Sequence, residues 1–181
     1  MGIRSSVLLC FASLSLAAFS VPQVAGKTAL AADKPNSTQQ RKGSGLPIPR
    51  FASLRSDQVN VRTGPGTRYP IDWEFKRKGM PVEIVAEYEN WRKIRDWQGA
   101  SGWVHQSLLS GKRSFIVSSK TASLHKTPAS SAEVVARLEP EVMGEIRSCD
   151  GDWCRVKVTG GVTGWVERGR MWGVYKSEPI N

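Results

Sequence analysis

Trp91-Arg92-Lys93-Ile94-Arg95-Asp96-Trp97 interleaves aromatic and cationic side chains within seven residues. Rings stack on sugars or other rings while neighbouring cations hold an anion, so this stretch has the chemistry of a binding face. Covalent chemistry is harder to assemble. Outside the N-terminal apolar run the chain carries two histidines, His105 and His125, and two cysteines, Cys149 and Cys154. A hydrolase needs a reactive nucleophile converging with a base, and two cysteines alone are too few to hold a structural metal. The expectation is a non-enzymatic chain with no catalytic residues, metal or cofactor.

The elements that must position the aromatic–cationic stretch come from a repeat. Asn90-Trp91-Arg92-Lys93-Ile94 matches Asp152-Trp153-Cys154-Arg155-Val156, and Gly102-Trp103-Val104 matches Gly164-Trp165-Val166, each pair 62 residues apart. Two units of about sixty residues follow, 51–112 and 113–178, near the lower limit for an independent core. Each reads as short strands: Pro81 to Ala86, Trp91 to Trp97 and Ser101 to His105 in the first, Val142 to Cys149 and Trp153 to Val158 in the second. No sustained helical period occurs after residue 50. Short strands with regular turns indicate an all-β architecture, and the unit size favours a small barrel.

Strand alternation then assigns faces. With Ile94 toward the core, Arg92 turns inward and Trp91, Lys93, Arg95 and Trp97 turn outward. Two readings stand for Trp91, as a ligand platform or as a demand of the shared fold, because Trp153 repeats it. Tyr69, Trp73 and Phe75 belong to the first unit only and are ligand candidates for that reason, with Trp73 and Phe75 sealing a core edge as the alternative. Arg62 either grips a carboxylate through its two-pronged guanidinium or braces loop carbonyls. Trp103 and Trp165 read as structural, and Lys76-Arg77-Lys78 as a solvated loop tip.

If Gly151-Asp152 form a two-residue turn with Gly first, the hairpin suits a type II′ geometry. Asp150 then opposes Trp153, and Cys149 opposes Cys154 at a spacing a disulfide spans. Glu87 and Arg92 fill the same positions in the first unit, an opposite-charge pair.

Upstream, Arg4 followed by the uncharged run Val7 to Phe19 predicts a secretory signal, since a bilayer span needs about 20 residues. Cleavage after Val24-Ala25-Gly26 makes 1–26 the signal peptide and removes Cys10; Ala29-Leu30-Ala31 is a second possible site, and an uncleaved anchor is the alternative. Residues 27–50 read as a basic flexible linker without apolar periodicity. The formal charge of +10 favours anionic partners.

Val59-Asn60-Val61-Arg62-Thr63-Gly64-Pro65-Gly66, with Tyr69-Pro70, Asn90 to Ile94 and Gly102-Trp103-Val104, resembles the bacterial Src-homology-3 family. The match covers 55–112 well and 121–175 loosely, because Ala122-Ser123-Leu124-His125 lacks the glycines and the arginine. The resemblance implies two tandem five-stranded barrels and an extracytoplasmic role, binding peptidoglycan or its peptides, or scaffolding partners. The eukaryotic relatives' first-loop aromatics are absent, so a polyproline ligand is not expected. Three functions are carried forward. The first is recognition of peptidoglycan or a periplasmic protein in the cell envelope, through Arg62, Tyr69, Trp73, Trp91, Lys93, Arg95 and Trp97. The second is electrostatic binding of an anionic surface polymer. The third is an accessory subunit with no small ligand. Export argues against nucleic acid, and no membrane span is expected after signal cleavage.

Overall fold

Glu89 and Gly151 both take positive φ, 50° and 51°, at the first turn position of matching hairpins. Glycine adopts this conformation readily, which suits Gly151. The computed structural model describes residues 43–118 and 120–181. The expected signal peptide and residues 27–42 of the linker lie outside the described residues.

The first unit comprises β1 (Arg50–Leu54), β2 (Val59–Arg62), β3 (Ile71–Phe75), β4 (Pro81–Tyr88), β5 (Trp91–Arg95), β6 (Ser101–His105) and β7 (Leu109–Ser110), in sheet order β3-β2-β6-β5-β4-β1-β7. The second comprises β8 (Ser114–Val117), β9 (Ala122–His125), β10 (Val134–Leu138), β11 (Met143–Asp150), β12 (Trp153–Val158), β13 (Thr163–Glu167) and β14 (Met171–Trp172), in the equivalent order β10-β9-β13-β12-β11-β8-β14. The architecture is all-β and tandem. Each sheet has seven strands rather than five, because β1 and β8 lead into each unit and two-residue strands close along them. Among the described residues the helical elements are single 3-10 turns at Gln106–Leu108 and Arg168–Arg170, and no helix is long and apolar enough to cross a membrane.

Period-two alternation builds both cores. Val59, Val61, Val82, Ile94 and Val104 are fully buried in the first, and Phe115, Leu124, Val156 and Val166 in the second. Each such side chain contributes about 1.5–3 kcal/mol of burial free energy. The repeated glycine before each Gly-Trp-Val tryptophan marks a close strand approach. A Cβ on Gly102 would stand 2.4 Å from Val61 Cγ1, and one on Gly164 would stand 2.7 Å from the His125 carbonyl oxygen.

The two units touch. Phe51 of β1 packs edge-on against Trp172, with ring centroids 4.9 Å apart, and at a tilt against Tyr175, at 4.6 Å. Tyr175 Oη donates to Glu83 Oε1 at 2.8 Å, and burial followed by the Glu83 hydrogen bond raises the Tyr175 hydroxyl well above the usual tyrosine range. Arg113, between the units, pairs with Glu178 and donates Nη2 to the Gly173 carbonyl at 2.8 Å. The described end of the linker segment meets the first unit: Ser44 Oγ and Arg50 Nη2 donate to Glu87 Oε1 at 2.7 and 2.5 Å.

Candidate functional site

Ladder register gathers the site from four strands. On β5 Arg92 and Ile94 are buried while Trp91 and Lys93 are half-buried on the opposite side. Lys93 pairs with Ala86 on β4 and with Trp103 on β6, and Trp103 pairs with Arg62 on β2. Ladder partners share a face, so Lys93, Trp103 and Arg62 form one row. Tyr88, Trp91 and His105 form the next, with the Trp91 and His105 rings edge-to-face at 5.4 Å.

Arg92 anchors this surface from beneath. Its Nε lies 3.1 Å from Glu87 Oε1, its Nη1 donates to the Glu89 and Trp91 carbonyls at 2.8 and 2.9 Å, and its Nη2 donates to Gln106 Oε1 at 2.5 Å. Burial would raise the Glu87 carboxyl, but hydrogen bonds from Ser44 and Arg50 outweigh it and hold the group at about 2.

The loop after β2 forms the rim. Arg62 Nη1 donates to the Thr67 and Tyr69 carbonyls at 3.2 and 2.7 Å, so the guanidinium braces the loop. The Tyr69 ring packs on Gly64, and the Arg68 guanidinium stands over it at 5.0 Å. A cleft of about 300 Å³ separates Pro65–Arg68 from Tyr88 and Glu89.

Three expected ligand residues sit elsewhere. Trp73 is paired with the buried Val61 and faces inward, packing with Phe75 at the edge of the first core. Arg95 donates Nε and Nη2 to Glu83 Oε2 at 2.9 and 2.5 Å, which ties its charge to a buried carboxylate at the junction. Trp97 falls beyond β5, in a turn where Asp96 Oδ1 accepts from Gln98 N and Ala100 N at 3.0 and 2.8 Å. Tyr88 and His105 were not among the candidates. Tyr88 is readable from the same two-residue turn that sets Asp150 opposite Trp153, shifted by one repeat.

The second unit keeps the geometry and changes the chemistry. Its rows are Ser148–Arg155–Trp165–His125 and Asp150–Trp153–Glu167. Trp153 takes its edge-on partner from His125, at 5.2 Å, and that histidine's Nδ1 lies 3.0 Å from the Ala132 carbonyl oxygen. Carboxylates stand where the first unit has Tyr88 and His105, so the aromatic row belongs to the first unit. Cys149 and Cys154 form the disulfide, with Cα atoms 4.0 Å apart. Among the described residues no group of three or more His, Cys, Asp or Glu side chains gathers as metal ligands.

The family model described as the bacterial SH3 domain matches residues 55–111 and, separately, 118–173. The chain belongs to the bacterial SH3 domain family. A curated relative is YrvJ of Bacillus subtilis (strain 168), named as a candidate N-acetylmuramoyl-L-alanine amidase, 29% identical over 126 residues. The alignment covers 64% of this SH3 chain and 24% of YrvJ, so the chain spans about a quarter of that relative. Among solved structures, NlpC2 from Trichomonas vaginalis aligns at 11% identity and TM-score 0.33, over 74% of this chain and 51% of that one. An NlpC/P60 family protein from Bacillus cereus ATCC 10987 aligns at 14% identity and TM-score 0.31, over 67% and 55%.

Proposed function

We propose that this chain is an exported, non-catalytic binding module of the cell envelope whose first SH3 unit recognises peptidoglycan. The observation that carries the reading is the first unit's outer face, where the Tyr88–Trp91–His105 row lies beside Lys93, Trp103 and Arg62. Half-exposed rings offer stacking surface for a sugar, and Lys93 offers a cation for a carboxylate. The family membership and the relative named as a candidate N-acetylmuramoyl-L-alanine amidase support the same ligand class. The N-terminal segment, read as a signal peptide, supports export. For the non-catalytic reading, the two cysteines of the described residues are joined to each other, and His105 and His125 belong to different units.

The test is a pull-down of residues 27–181 on purified sacculi at low and high salt, with Trp91→Ala and Lys93→Ala beside the parent. Binding that resists salt and disappears in a folded Trp91→Ala variant is expected. Binding that collapses with salt and ignores Trp91 would instead mark charge-driven adhesion by the basic chain, because phosphate-type contacts weaken steeply with ionic strength. No binding at all would redirect the search to a periplasmic protein.

A further inference from the structure

Between the two units runs a groove of about 670 Å³ that no part of the wall-binding face enters. Arg55, Lys78, Lys112 and Lys157 line it, and each comes from a different segment: the residue after β1, the β3–β4 loop, the β7–β8 connection, and β12. All four cations lack a carboxylate within salt-bridge distance among the described residues. Arg55 directs Nε and Nη2 to the Leu109 carbonyl, which leaves its charge uncompensated. The acid in the lining, Glu145, is paired with Arg147 at 3.0 Å. Buried in the same wall, Arg113 Nε and Ser114 Oγ have no hydrogen-bond partner. An N–H without an acceptor leaves its partial positive charge unscreened.

We infer that this inter-unit groove is a second binding site and that its ligand is an acidic peptide. The positive walls require an anion by charge complementarity. The lining selects among anions: the four cations come from separate segments on both sides of the junction, and carbon atoms share the exposed wall with them. Leu54, Met143 and Val158 back this wall and are all but fully buried. Such a surface fits carboxylates spaced along a chain with apolar side chains between, and a phosphate polymer would gain nothing from the apolar part. Arg55, Lys78 and Lys112 come from the first unit and its exit, Lys157 from the second, so the site exists only while the junction holds. It uses none of the residues of the Trp91 face and stands independently of the wall reading.

The test is fluorescence anisotropy on the intact chain at about 0.15 M salt. The probe is a fluorescein-labelled hexapeptide alternating glutamate and leucine, with its glutamine counterpart as control and polyphosphate as competitor. Saturable binding of the glutamate peptide is expected, about tenfold tighter than the glutamine peptide. The double variant Lys78→Gln with Lys157→Gln should lose about three- to tenfold in affinity with an unchanged circular dichroism spectrum, while Lys93→Gln on the outer face should bind as the parent does. Equal binding of both peptides, no binding, or an unaffected Lys78→Gln/Lys157→Gln variant would overturn the assignment. Polyphosphate binding more tightly than the peptide would also overturn it and make the groove a phosphate-polymer site.

Discussion

Glu87 and Arg92 face each other across the β4–β5 ladder 3.1 Å apart, at the position pair that Cys149 and Cys154 occupy in the second copy. The two clasps are not interchangeable, because the hairpin-tip carbonyl is held differently in each. Arg92 itself donates to the Glu89 carbonyl, whereas Gly151 is held by Arg168 Nε at 3.0 Å.

Removing the disulfide should therefore cost stability without being repairable by the ion pair. Cys149→Ser with Cys154→Ser, or a reductant on the parent, should lower the unfolding free energy by about 2 kcal/mol on the loop-entropy model for so short a loop. Replacing the pair by Cys149→Glu with Cys154→Arg should be worse than the serine variant, since the guanidinium would stand at a fully buried position while buried Arg168 already holds the Gly151 carbonyl. Thermal melts of the three proteins check the ranking.

Acid should weaken the first unit through Glu87. Its folded-state carboxyl is held at about 2, below the unfolded value of 4.5. A depressed carboxyl stabilises fully above the unfolded value and loses that contribution as pH falls from about 4.5 toward about 2. The loss is about 3 kcal/mol at most. Urea unfolding between neutral pH and pH of about 2 should show the slope, and Glu87→Gln should flatten it.

Tyr175→Phe tests the junction. It deletes the hydroxyl that donates to Glu83 Oε1 while keeping the ring against Phe51. Loss of about 1 kcal/mol is expected, visible as a broader melt or two transitions in place of one. An unchanged, single transition would show that the Tyr175 hydroxyl is not needed to couple the units.

Arg62→Ala should loosen the rim. Without Nη1 the Thr67 and Tyr69 carbonyls lose a donor, at a cost of about 1–3 kcal/mol. Hydrogen exchange should rise across residues 64–69 and stay unchanged in β11 and β12.

Much of the site was legible because hairpin neighbours are encoded locally. Ile94 facing inward sets Trp91 and Lys93 outward, and a two-residue turn sets Cys149 against Cys154. The alternation argument stopped where the strand stops, so Trp97 was projected past β5 into the Asp96 turn. Trp73 was ambiguous because its direction depends on its partner Val61 across a bulged ladder. Arg95 is outward by alternation, but its charge is taken by Glu83, which Tyr175 of the second unit's tail covers through its hydroxyl.

The sequence by itself determined the repeat, because two copies 62 residues apart carry the same short motifs, and it determined the all-β alternation, the turn positions and the disulfide, since each of these depends on residues a few positions apart. The tertiary structure decided which charges are compensated and which remain open. Tyr175 meets Glu83 across 92 residues, and the cations of the groove come from separate segments of both units. Contacts at such separations follow no period along the chain; they arise only when the two finished sheets pack against each other around Phe51.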